Sequence, residues 1–296
     1  MMERVEDLIR QLIVEIDFPQ ALELFSKLSG GKRLRARLIL TIAPSHPDAP
    51  LLGAIVELIH AASLLHDDVI DEATLRRGAA SVNATHGSKV AIMLGDILYS
   101  KAFSALTAFD PRIAHSVALS VTKLSVGEMM DVEMSKTFNA NRDDYLKMLY
   151  LKTATLIESC AYCAALLENK GAEAYAIYGK NLGTAFQIVD DILDITSDDA
   201  TLGKPSLNDF VEGKTTLPYI DLYEALDVSE KEKLMGCHGR ALDSNEKEWL
   251  FGVMEKHGVI EKSYAYAKTL CDEAIAYVPN ESALSTIITS VIQRNH

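Results

Sequence analysis

Two stretches of the sequence carry three aspartates at the same offsets. The first stretch is Asp-Asp-Val-Ile-Asp at 67–71 and the second is Asp-Asp-Ile-Leu-Asp at 190–194. In a helix, side chains at positions i and i+4 lie on one face about one turn apart, so the outer aspartates align and the middle one stands beside them. Each stretch therefore predicts a cluster of three carboxylates. The six residues are Asp67, Asp68, Asp71, Asp190, Asp191 and Asp194.

The residues around both aspartate clusters are apolar. Leu64, Leu65 and Val69 flank the first, and Ile188 and Val189 precede the second. Carboxylates in such surroundings need a compensating cation, because removing an unpaired charge from water is costly. Oxygen ligands favour a hard ion, and Mg²⁺ is typically shared between a few carboxylates and substrate phosphates. The repeated cluster predicts Mg²⁺ ions bound to a diphosphate, whereas a single cluster is equally well read as a solvated helix end.

Basic residues are concentrated although the chain is acidic. The segment 32–37 has four basic residues in six positions, and Arg76 and Arg77 follow the first aspartate cluster. Further candidate cations are Lys152, Lys204 and Lys214. Arginine binds phosphate oxygens through two parallel hydrogen bonds, and lysine supplies a point charge. As a set these residues predict a diphosphate site, although each one alone is more often a surface charge.

The segments that must position these residues have the periodicity of helices. Apolar residues recur at three- and four-residue spacing over 5–16, 51–70, 90–106, 113–134, 145–167, 174–195 and 264–278. Strict alternation is scarce, so little β-sheet is expected. The sequence predicts an all-α fold, a single domain over 1–296 built as a bundle of long antiparallel helices around a central cavity. Breaks are expected at 43–50, 78–88, 197–216 and 236–239, and the polar 197–216 stretch is expected to form a mobile lid.

Composition excludes several classes of protein. A chain of 296 residues can bury its own core without disulfides, and a net charge of −13 disfavours a nucleic-acid partner. No apolar run approaches the roughly 18 residues of a membrane span, and the acidic start does not resemble a secretory signal. We therefore expect a cytoplasmic protein with no transmembrane segment. Cys160 and Cys163 are interpreted as core residues rather than as a redox or zinc pair.

Other kinds of catalytic site fit these residues less well. Neither Lys32 nor Lys214 has the glycine that a nucleotide P-loop requires six residues earlier. A di-iron bundle needs two Glu-x-x-His pairs. Glu57 with His60 is one such pair, and the sequence contains no second. A hydrolytic triad stays open, although no Gly-x-Ser-x-Gly motif supports it.

Taken in order, the motifs resemble those of the trans-polyprenyl diphosphate synthase family. They are Gly-Gly-Lys-Arg-x-Arg at 30–35, Asp-Asp-x-x-Asp with a following Arg-Arg-Gly at 67–78, Phe-Gln and the second Asp-Asp-x-x-Asp at 186–194, and Gly-Lys-Thr-Thr-Leu-Pro at 213–218. Ala36 stands where the family usually has proline, and Leu207 where glycine is common. The resemblance implies an all-α homodimer that joins an allylic diphosphate to isopentenyl diphosphate in repeated head-to-tail steps.

The resemblance also implies roles for individual residues. Asp67, Asp71 and Asp190 would hold Mg²⁺, with Asp68, Asp191 and Asp194 in support, so that the allylic carbon–oxygen bond ionises. Isopentenyl diphosphate would contact Lys32, Arg35, His60 and Arg77. The allylic diphosphate would contact Arg76, Lys152, Thr153, Gln187, Lys204 and Lys214, of which Lys152 and Lys204 are also expected to act in catalysis.

Small residues below the first aspartate cluster bear on product length. Ala62 and Ser63 precede Asp67 by about one helical turn, where short-chain relatives often carry aromatic residues that block elongation. We therefore expect a long-chain, octaprenyl-like product made from farnesyl diphosphate. Elongation is expected to be limited farther from the aspartates by the side chain of Met129, Met130, Met134 or Phe138. Release of such a lipid implies a peripheral membrane contact. A shorter-chain synthase, a class I terpene cyclase and a non-catalytic subunit of a heteromeric synthase remain the alternatives.

Overall fold

The computed structural model describes residues 1–28, 31–76, 78–196 and 206–293, and nearly all regular elements in these ranges are helices. Along the first half they are α1 (Met2–Val14), α2 (Pro19–Lys27), α3 (Leu34–Ile42), α4 (Ala49–Ile70), α5 (Val82–His86), α6 (Ser88–Leu106), α7 (Pro111–Met134) and α8 (Arg142–Leu149). They continue with α9 (Thr155–Leu167), α10 (Ala172–Thr196), α11 (Asn208–Val211), α12 (Leu217–Ala225), α13 (Val228–Cys237), α14 (Ser244–His257), α15 (Val259–Tyr277) and α16 (Ser282–Ile292). The predicted all-α fold class is confirmed.

The described strands form one short hairpin. Strand β1 (Leu75–Arg76) pairs antiparallel with β2 (Ala79–Ala80), with Leu75 opposite Ala80. This hairpin directly follows α4, and it fixes the position of Arg76 just beyond the first aspartate stretch.

One predicted helix is interrupted. The periodicity over 145–167 predicts a continuous helix, whereas a π-helical turn, Tyr150–Ala154, separates α8 from α9. The Thr155 amide donates to the Tyr150 carbonyl five residues earlier, which is the hydrogen bond that defines this geometry. Such turns are rare and are often found at functional sites, and this one contains Lys152 and Thr153.

Helices α13 and α14 were not expected from the apolar pattern. Helix α13 buries only Leu234 and Cys237, so its apolar stripe is too thin to show a period. Both helices begin with a capping box, in which an aspartate side chain accepts from the backbone of a glutamate three residues later and the glutamate accepts from the aspartate backbone. The Asp227/Glu230 and Asp243/Glu246 spacings were the sequence signal that marks these helix starts.

The chain divides into two compact units. Unit one comprises Met1–Val121 and Ser159–Tyr175. Its core is built around α4, which packs against α1, α3 and α6 and buries most of its length. Each fully buried leucine or isoleucine contributes about 1.5–3 kcal/mol relative to exposure, so this helix is held firmly up to its C-terminal end. That end carries the first aspartate stretch.

Unit two comprises Thr122–Glu158 and Ala176–His296. Its hydrophobic cluster includes the stacked rings of Phe210 and Tyr219, whose centroids are 4.3 Å apart. Helix α10 contributes Ile195 to this cluster and carries the second aspartate stretch. The predicted single domain over 1–296 stays a prediction.

Helix α4 corrects one expectation from the sequence. Its 22 residues, with a mean hydropathy of 1.5 over the most apolar window, are long and apolar enough to cross a membrane by length and composition. The estimate that no apolar segment approaches that length was therefore wrong. Because 78% of that window is buried inside the protein, the helix is typical of a protein core.

Candidate active site

The first aspartate stretch lies at the C-terminal end of α4 in unit one. Asp67 is half-buried, Asp71 is exposed at the C-cap, and Asp68 is buried with an exposed fraction of 1%. The carbonyl groups at a helix C-terminus carry partial negative charge, which adds to the charge of these carboxylates. A cation is therefore favoured at this end of the helix, where Asp67 and Asp71 are the more accessible carboxylates of the stretch.

Asp68 is directed to the protein instead. Arg76 donates from Nε to Asp68 Oδ1 at 2.6 Å, and its Nη2 lies 2.5 Å from the same oxygen. Asn83 and Ala73 donate to the Asp68 carbonyl at 2.9 Å. The side chain of Arg76, which was expected to contact the allylic diphosphate, is thus paired with Asp68 and ties the hairpin to α4. Among the described residues nothing donates to the buried Asp68 Oδ2.

Two arginines of the basic segment, Arg33 and Arg35, interact with the buried Glu57. Arg33 adopts a left-handed conformation at the start of α3 and pairs with Glu6 at 2.8 Å and with the buried Glu57 at 3.3 Å. Burial lowers the pKa of Arg35, and the negative charge of Glu57 opposes this effect. Within the described part of the chain, the buried Nε of Arg35 has no hydrogen-bond partner. A buried donor without a partner suits an anion, and Lys32 is exposed. That these two residues bind isopentenyl diphosphate stays a prediction.

The departure at Ala36 has a structural explanation. Ala36 is fully buried in the first turn of α3, and its backbone amide donates to Glu57 Oε1 at 3.1 Å. Proline has no amide hydrogen and cannot make this bond. The alanine therefore gives the buried Glu57 a hydrogen bond that the usual family residue lacks. His60, seven residues before Asp67 on α4, is half-buried.

The second aspartate stretch lies near the end of α10 in unit two. Asp190 is half-buried, whereas Asp191 and Asp194 have exposed fractions of 4% and 2%. Asp194 accepts from the Asp209 amide at 3.1 Å through its side chain and from the Leu207 amide at 2.8 Å through its carbonyl. Asp194 therefore anchors the start of α11, and Asp190 is the accessible carboxylate.

Asp191 belongs to a buried polar chain. Tyr145 donates to Asp191 Oδ2 at 2.5 Å, and Gln187 donates to Asp191 Oδ1 at 2.9 Å. Thr153 in turn donates to Gln187 Oε1 at 3.1 Å. Burial, followed by the charge of Asp209, raises the pKa of Asp191 well above its ordinary value. These hydrogen bonds link the second aspartate stretch to the π-helical turn. Tyr145 was not identified as a site residue by the sequence analysis.

Lys152 is held by two carboxylates of α7. Its Nζ lies 2.5 Å from Asp131 Oδ2 and 2.9 Å from Glu128 Oε2, and both acids are buried. Burial by itself lowers the pKa of Lys152, but the charges of Asp131 and Glu128 outweigh it and raise the pKa. Lys152 is therefore charged. Sequence reasoning missed both acids, although their i, i+3 spacing on a helical pattern places them on one face.

A cavity of about 110 Å³ brings many of these groups together in unit two. Its polar lining includes most of the residues expected to contact the allylic substrate and several that were not expected; it comprises Asp131, Ser135, Asn139, Tyr145, Lys152, Thr153, Gln187, Asp191, Asp209, Lys214, Thr215 and Thr216. Met134, Met148 and Leu149 form an apolar part. The hydroxyl of Thr216 is buried without a hydrogen-bond partner among the described residues. Cations, hydroxyls and an apolar wall in one cavity suit a diphosphate attached to a hydrocarbon.

The accessible carboxylates fit a hard divalent cation that is shared with a ligand. Among the described residues, no three His, Cys, Asp or Glu side chains are grouped to hold a metal by themselves. Asp68, Asp191 and Asp194 make hydrogen bonds within the protein, and the more accessible carboxylates are Asp67 and Asp71 in the stretch of unit one and Asp190 in the stretch of unit two. Carboxylate oxygens are donors that suit Mg²⁺, which keeps waters and takes phosphate oxygens as further ligands. The assignment of Asp67, Asp71 and Asp190 as its ligands stays a prediction.

The residues expected to set product length differ in their burial and in the unit to which they belong. Ala62 and Ser63 are buried in α4 of unit one, and Met134 lines the unit-two cavity while Met130 is half-buried. Met129 is 73% exposed. The ring of Phe138 lies 5.3 Å from those of Tyr223 and His238 and is half-buried against the hydrophobic cluster of unit two. The lining of the unit-two cavity described above contains neither side chain, and the expectation that Met129 and Phe138 limit product length stays a prediction.

Some predicted positions lie outside the described residues. These are Gly30, Arg77, Lys204 and the 197–205 part of the predicted lid. The described part of that stretch contains α11 and Leu207, which adopts a left-handed φ of 64°. A glycine, which is common here in the family, adopts that conformation without strain. The leucine side chain is fully buried beside Phe210, which offsets the cost.

Comparison with known proteins gives consistent matches. The model of the polyprenyl synthetase family matches residues 19–254. The octaprenyl pyrophosphate synthase of Helicobacter pylori has a crystal structure that is similar with a TM-score of 0.94 at 40% identity, covering 99% of this chain and 98% of that one. The geranylgeranyl diphosphate synthase of Sulfolobus acidocaldarius is 34% identical over 288 residues, which is 91% of this chain and 85% of the relative. A polyprenyl synthase from Caulobacter crescentus CB15, crystallised with calcium and isoprenyl diphosphate, is similar with a TM-score of 0.90 at 28% identity, covering 100% of this chain and 95% of that one.

Proposed function

Because the chain belongs to the polyprenyl synthetase family and is a prenyltransferase of the trans-prenyl diphosphate synthase type, we propose that it elongates farnesyl diphosphate with successive isopentenyl diphosphate units to an octaprenyl-like diphosphate. The observation that carries the proposal is the unit-two cavity. The lining of this cavity includes the polar Lys152, Thr153 and Lys214 and the apolar Met134 and Met148. This combination matches a substrate with a charged diphosphate group and a hydrocarbon chain.

The metal ligands in this proposal are the three accessible carboxylates. Asp67, Asp71 and Asp190 would hold Mg²⁺. A divalent cation is supported by the Caulobacter crescentus structure, which is a complex with calcium and isoprenyl diphosphate. When bound, Mg²⁺ neutralises the charge of the departing diphosphate. Asp68 and Asp191 keep their protein partners and orient the helix ends on which these ligands lie.

The remaining polar residues bind and hold the diphosphate of the allylic substrate. Lys152 supplies a permanent positive charge, Thr153 and Gln187 supply hydrogen-bonding groups, and Lys214 adds a second cation. With the diphosphate held, the allylic carbon–oxygen bond breaks and the diphosphate leaves with the bonding electrons. The double bond of isopentenyl diphosphate then forms the new carbon–carbon bond, and loss of a proton to the released diphosphate restores a double bond. No side-chain nucleophile is needed.

Isopentenyl diphosphate is assigned to the basic residues of unit one. The buried and unpaired Nε of Arg35, together with the exposed Lys32 and the half-buried His60, supports this assignment among the described residues. Arg77 belongs to the same proposed set by its place in the motif.

A long product is favoured by the small residues Ala62 and Ser63 on α4 below Asp67, which carry no bulky side chain that would block a growing chain. The relatives span short- and long-chain enzymes, so the proposed product length rests on α4 and not on sequence identity. We also propose a homodimer, supported by the exposed apolar residues Ile92 and Met93 on α6 and Met129 on α7.

We further propose a cytoplasmic location with peripheral membrane contact for product release. All four cysteines are free and buried, which suits a reducing compartment, and an octaprenyl product is too apolar to leave readily into water.

Product sizing tests the proposal. The purified protein is incubated with Mg²⁺, labelled isopentenyl diphosphate and, in separate reactions, geranyl, farnesyl or geranylgeranyl diphosphate. After removal of the diphosphate, chromatography resolves the chain lengths. Products near eight isoprene units, formed fastest from farnesyl diphosphate, support the proposal, whereas products that stop at three or four units would replace it with a short-chain synthase.

A further inference from the structure

The π-helical turn that carries Lys152 and Thr153 is flanked by two glycines of unit two. Gly127 lies on α7 and Gly183 lies on α10. Neither residue was expected to have a role from the sequence. Both glycines are buried, so their lack of a side chain is a matter of space.

Gly127 faces the backbone of the turn. A β-carbon at this position would lie 2.7 Å from both Lys152 Cα and the Leu151 carbonyl carbon, and closer still to the Lys152 amide nitrogen. Real β-carbons essentially never approach within 3.0 Å, and backbone atoms cannot rotate away as a flexible side chain can. An alanine here must push the turn away from α7.

Gly183 closes the turn from α10. Its β-carbon would lie 2.6 Å from Ala154 Cα and 2.9 Å from Ala154 Cβ. Two helices of unit two therefore meet the turn at contact distance, one through each glycine. The turn lies in a slot between α7 and α10, and this slot is wide enough for it because neither glycine carries a β-carbon.

This slot determines where the functional side chains of the turn lie. Glu128 and Asp131 follow Gly127 on α7, so the close approach at Gly127 brings Lys152 Nζ to 2.5 Å from Asp131 and 2.9 Å from Glu128. On the other side, Thr153 reaches Gln187 on α10 at 3.1 Å, four residues beyond Gly183. Lys152 and Thr153 are consecutive residues of the π turn and both line the cavity, and such turns are often found at functional sites.

We propose that Gly127 and Gly183 are positioning residues that fix Lys152 and Thr153 for the diphosphate of the allylic substrate. The inference rests on the proposed function, because it concerns the substrate that this cavity binds. It predicts a specific defect: the allylic substrate should be affected, while isopentenyl diphosphate, assigned to residues of unit one, should be bound as before.

The test compares Gly127→Ala and Gly183→Ala with Gly236→Ala and Gly252→Ala. The last two are matched controls, because both are exposed helical glycines with no heavy atom within 4 Å of an added β-carbon. Steady-state constants are measured for each substrate with the other saturating. Since a misplacement of about 1 Å costs up to about 100-fold, we expect kcat/KM for the allylic diphosphate to fall about 10- to 100-fold in the Gly127 and Gly183 variants. The KM for isopentenyl diphosphate should stay within about twofold, and both controls should match the wild type.

Three results would overturn the inference. One is a folded Gly127→Ala protein whose kcat/KM for the allylic diphosphate is unchanged. Another is a rise in the KM for isopentenyl diphosphate as large as the loss of kcat/KM for the allylic diphosphate. If Gly127→Ala does not fold, Gly183→Ala decides by the same criteria, and if neither folds, the glycines are required for folding and the proposal fails. A wild type that does not elongate would instead overturn the proposed function, so the two failures are distinguishable.

Discussion

Nζ of Lys152 lies 2.5 Å from Oδ2 of Asp131, and both groups line the same cavity of unit two. The pair keeps Lys152 charged and holds its long side chain at the edge of the cavity before any substrate is bound. Incoming phosphate oxygens then meet an oriented ammonium group, so less side-chain entropy is lost on binding.

We predict that Lys152→Ala lowers kcat/KM for the allylic diphosphate by about 100-fold, the usual effect of removing one preorganised donor from developing negative charge. It should also lower the free energy of unfolding by about 3 kcal/mol, because Asp131 and Glu128 are left buried without their cation. Steady-state kinetics well below the unfolding midpoint, combined with urea denaturation, separates the two effects. Lys136→Ala is the control, since that exposed lysine pairs only with Glu133 among the described residues; equal losses in both variants would contradict the assignment.

Product length should respond to α4 and not to the exposed part of α7. Ser63→Phe is expected to shift the product distribution toward shorter chains, because a ring at this buried position occupies the space below Asp67. The added volume should cost about 1–3 kcal/mol of stability, so the assay is run on protein that circular dichroism shows to be folded. Met129→Phe should leave the distribution unchanged, since Met129 is at the surface of its unit. Identical product profiles for wild type and Ser63→Phe would refute the proposal that the side chain at position 63 on α4 limits product length.

Leu207 offers a test of backbone strain against packing. Leu207→Ala removes buried side-chain atoms from the Phe210 cluster and keeps a β-carbon in the left-handed conformation, so we expect a loss of about 2–4 kcal/mol. Leu207→Gly removes more atoms but relieves about 1 kcal/mol of strain. Urea denaturation should therefore find the glycine variant no less stable than the alanine variant. A glycine variant that is clearly the less stable of the two would show that strain at Leu207 is negligible.

Acid should weaken unit two through His238. Burial lowers the pKa of His238 below its usual 6.5, and its ring lies beside Phe138 and Phe210 and 3.2 Å from the cavity residue Thr215. The unfolded chain therefore binds a proton at a higher pH than the folded one. The free energy of unfolding is expected to fall as the pH drops below about 6.5. Denaturation curves at pH 7.5 and 5.5 measure this, and in His238→Gln the fall should be smaller; an equal fall would assign the effect to other groups.

The parts of the fold that the sequence predicts are those governed by local pattern. Helices α4 and α10 show a long apolar period, and both aspartate stretches were located at their ends. Which aspartates of each stretch are bonded within the protein could not be predicted in the same way. Asp68 is neutralised by Arg76 eight residues later and Asp191 is bonded by Tyr145 forty-six residues earlier, and such partners become visible only when the chain is folded.

The π-helical turn shows the same limit. Apolar periodicity over 145–167 predicts one helix, since a single inserted residue barely disturbs the pattern. The turn packs closely against Gly127 and Gly183, which are distant from it in sequence. Without that contact, the joint placement of Lys152 and Thr153 in one cavity cannot be deduced from their spacing alone.

Incorporation of labelled isopentenyl diphosphate into an apolar product is the most direct test of the central claim. With farnesyl diphosphate and Mg²⁺ the wild type should incorporate many equivalents per active site, and EDTA should abolish incorporation. Asp67→Asn and Asp190→Asn should lower turnover by orders of magnitude while circular dichroism stays unchanged. Folded wild-type protein that incorporates no label in the presence of Mg²⁺, or Asp190→Asn protein with wild-type turnover, would contradict it.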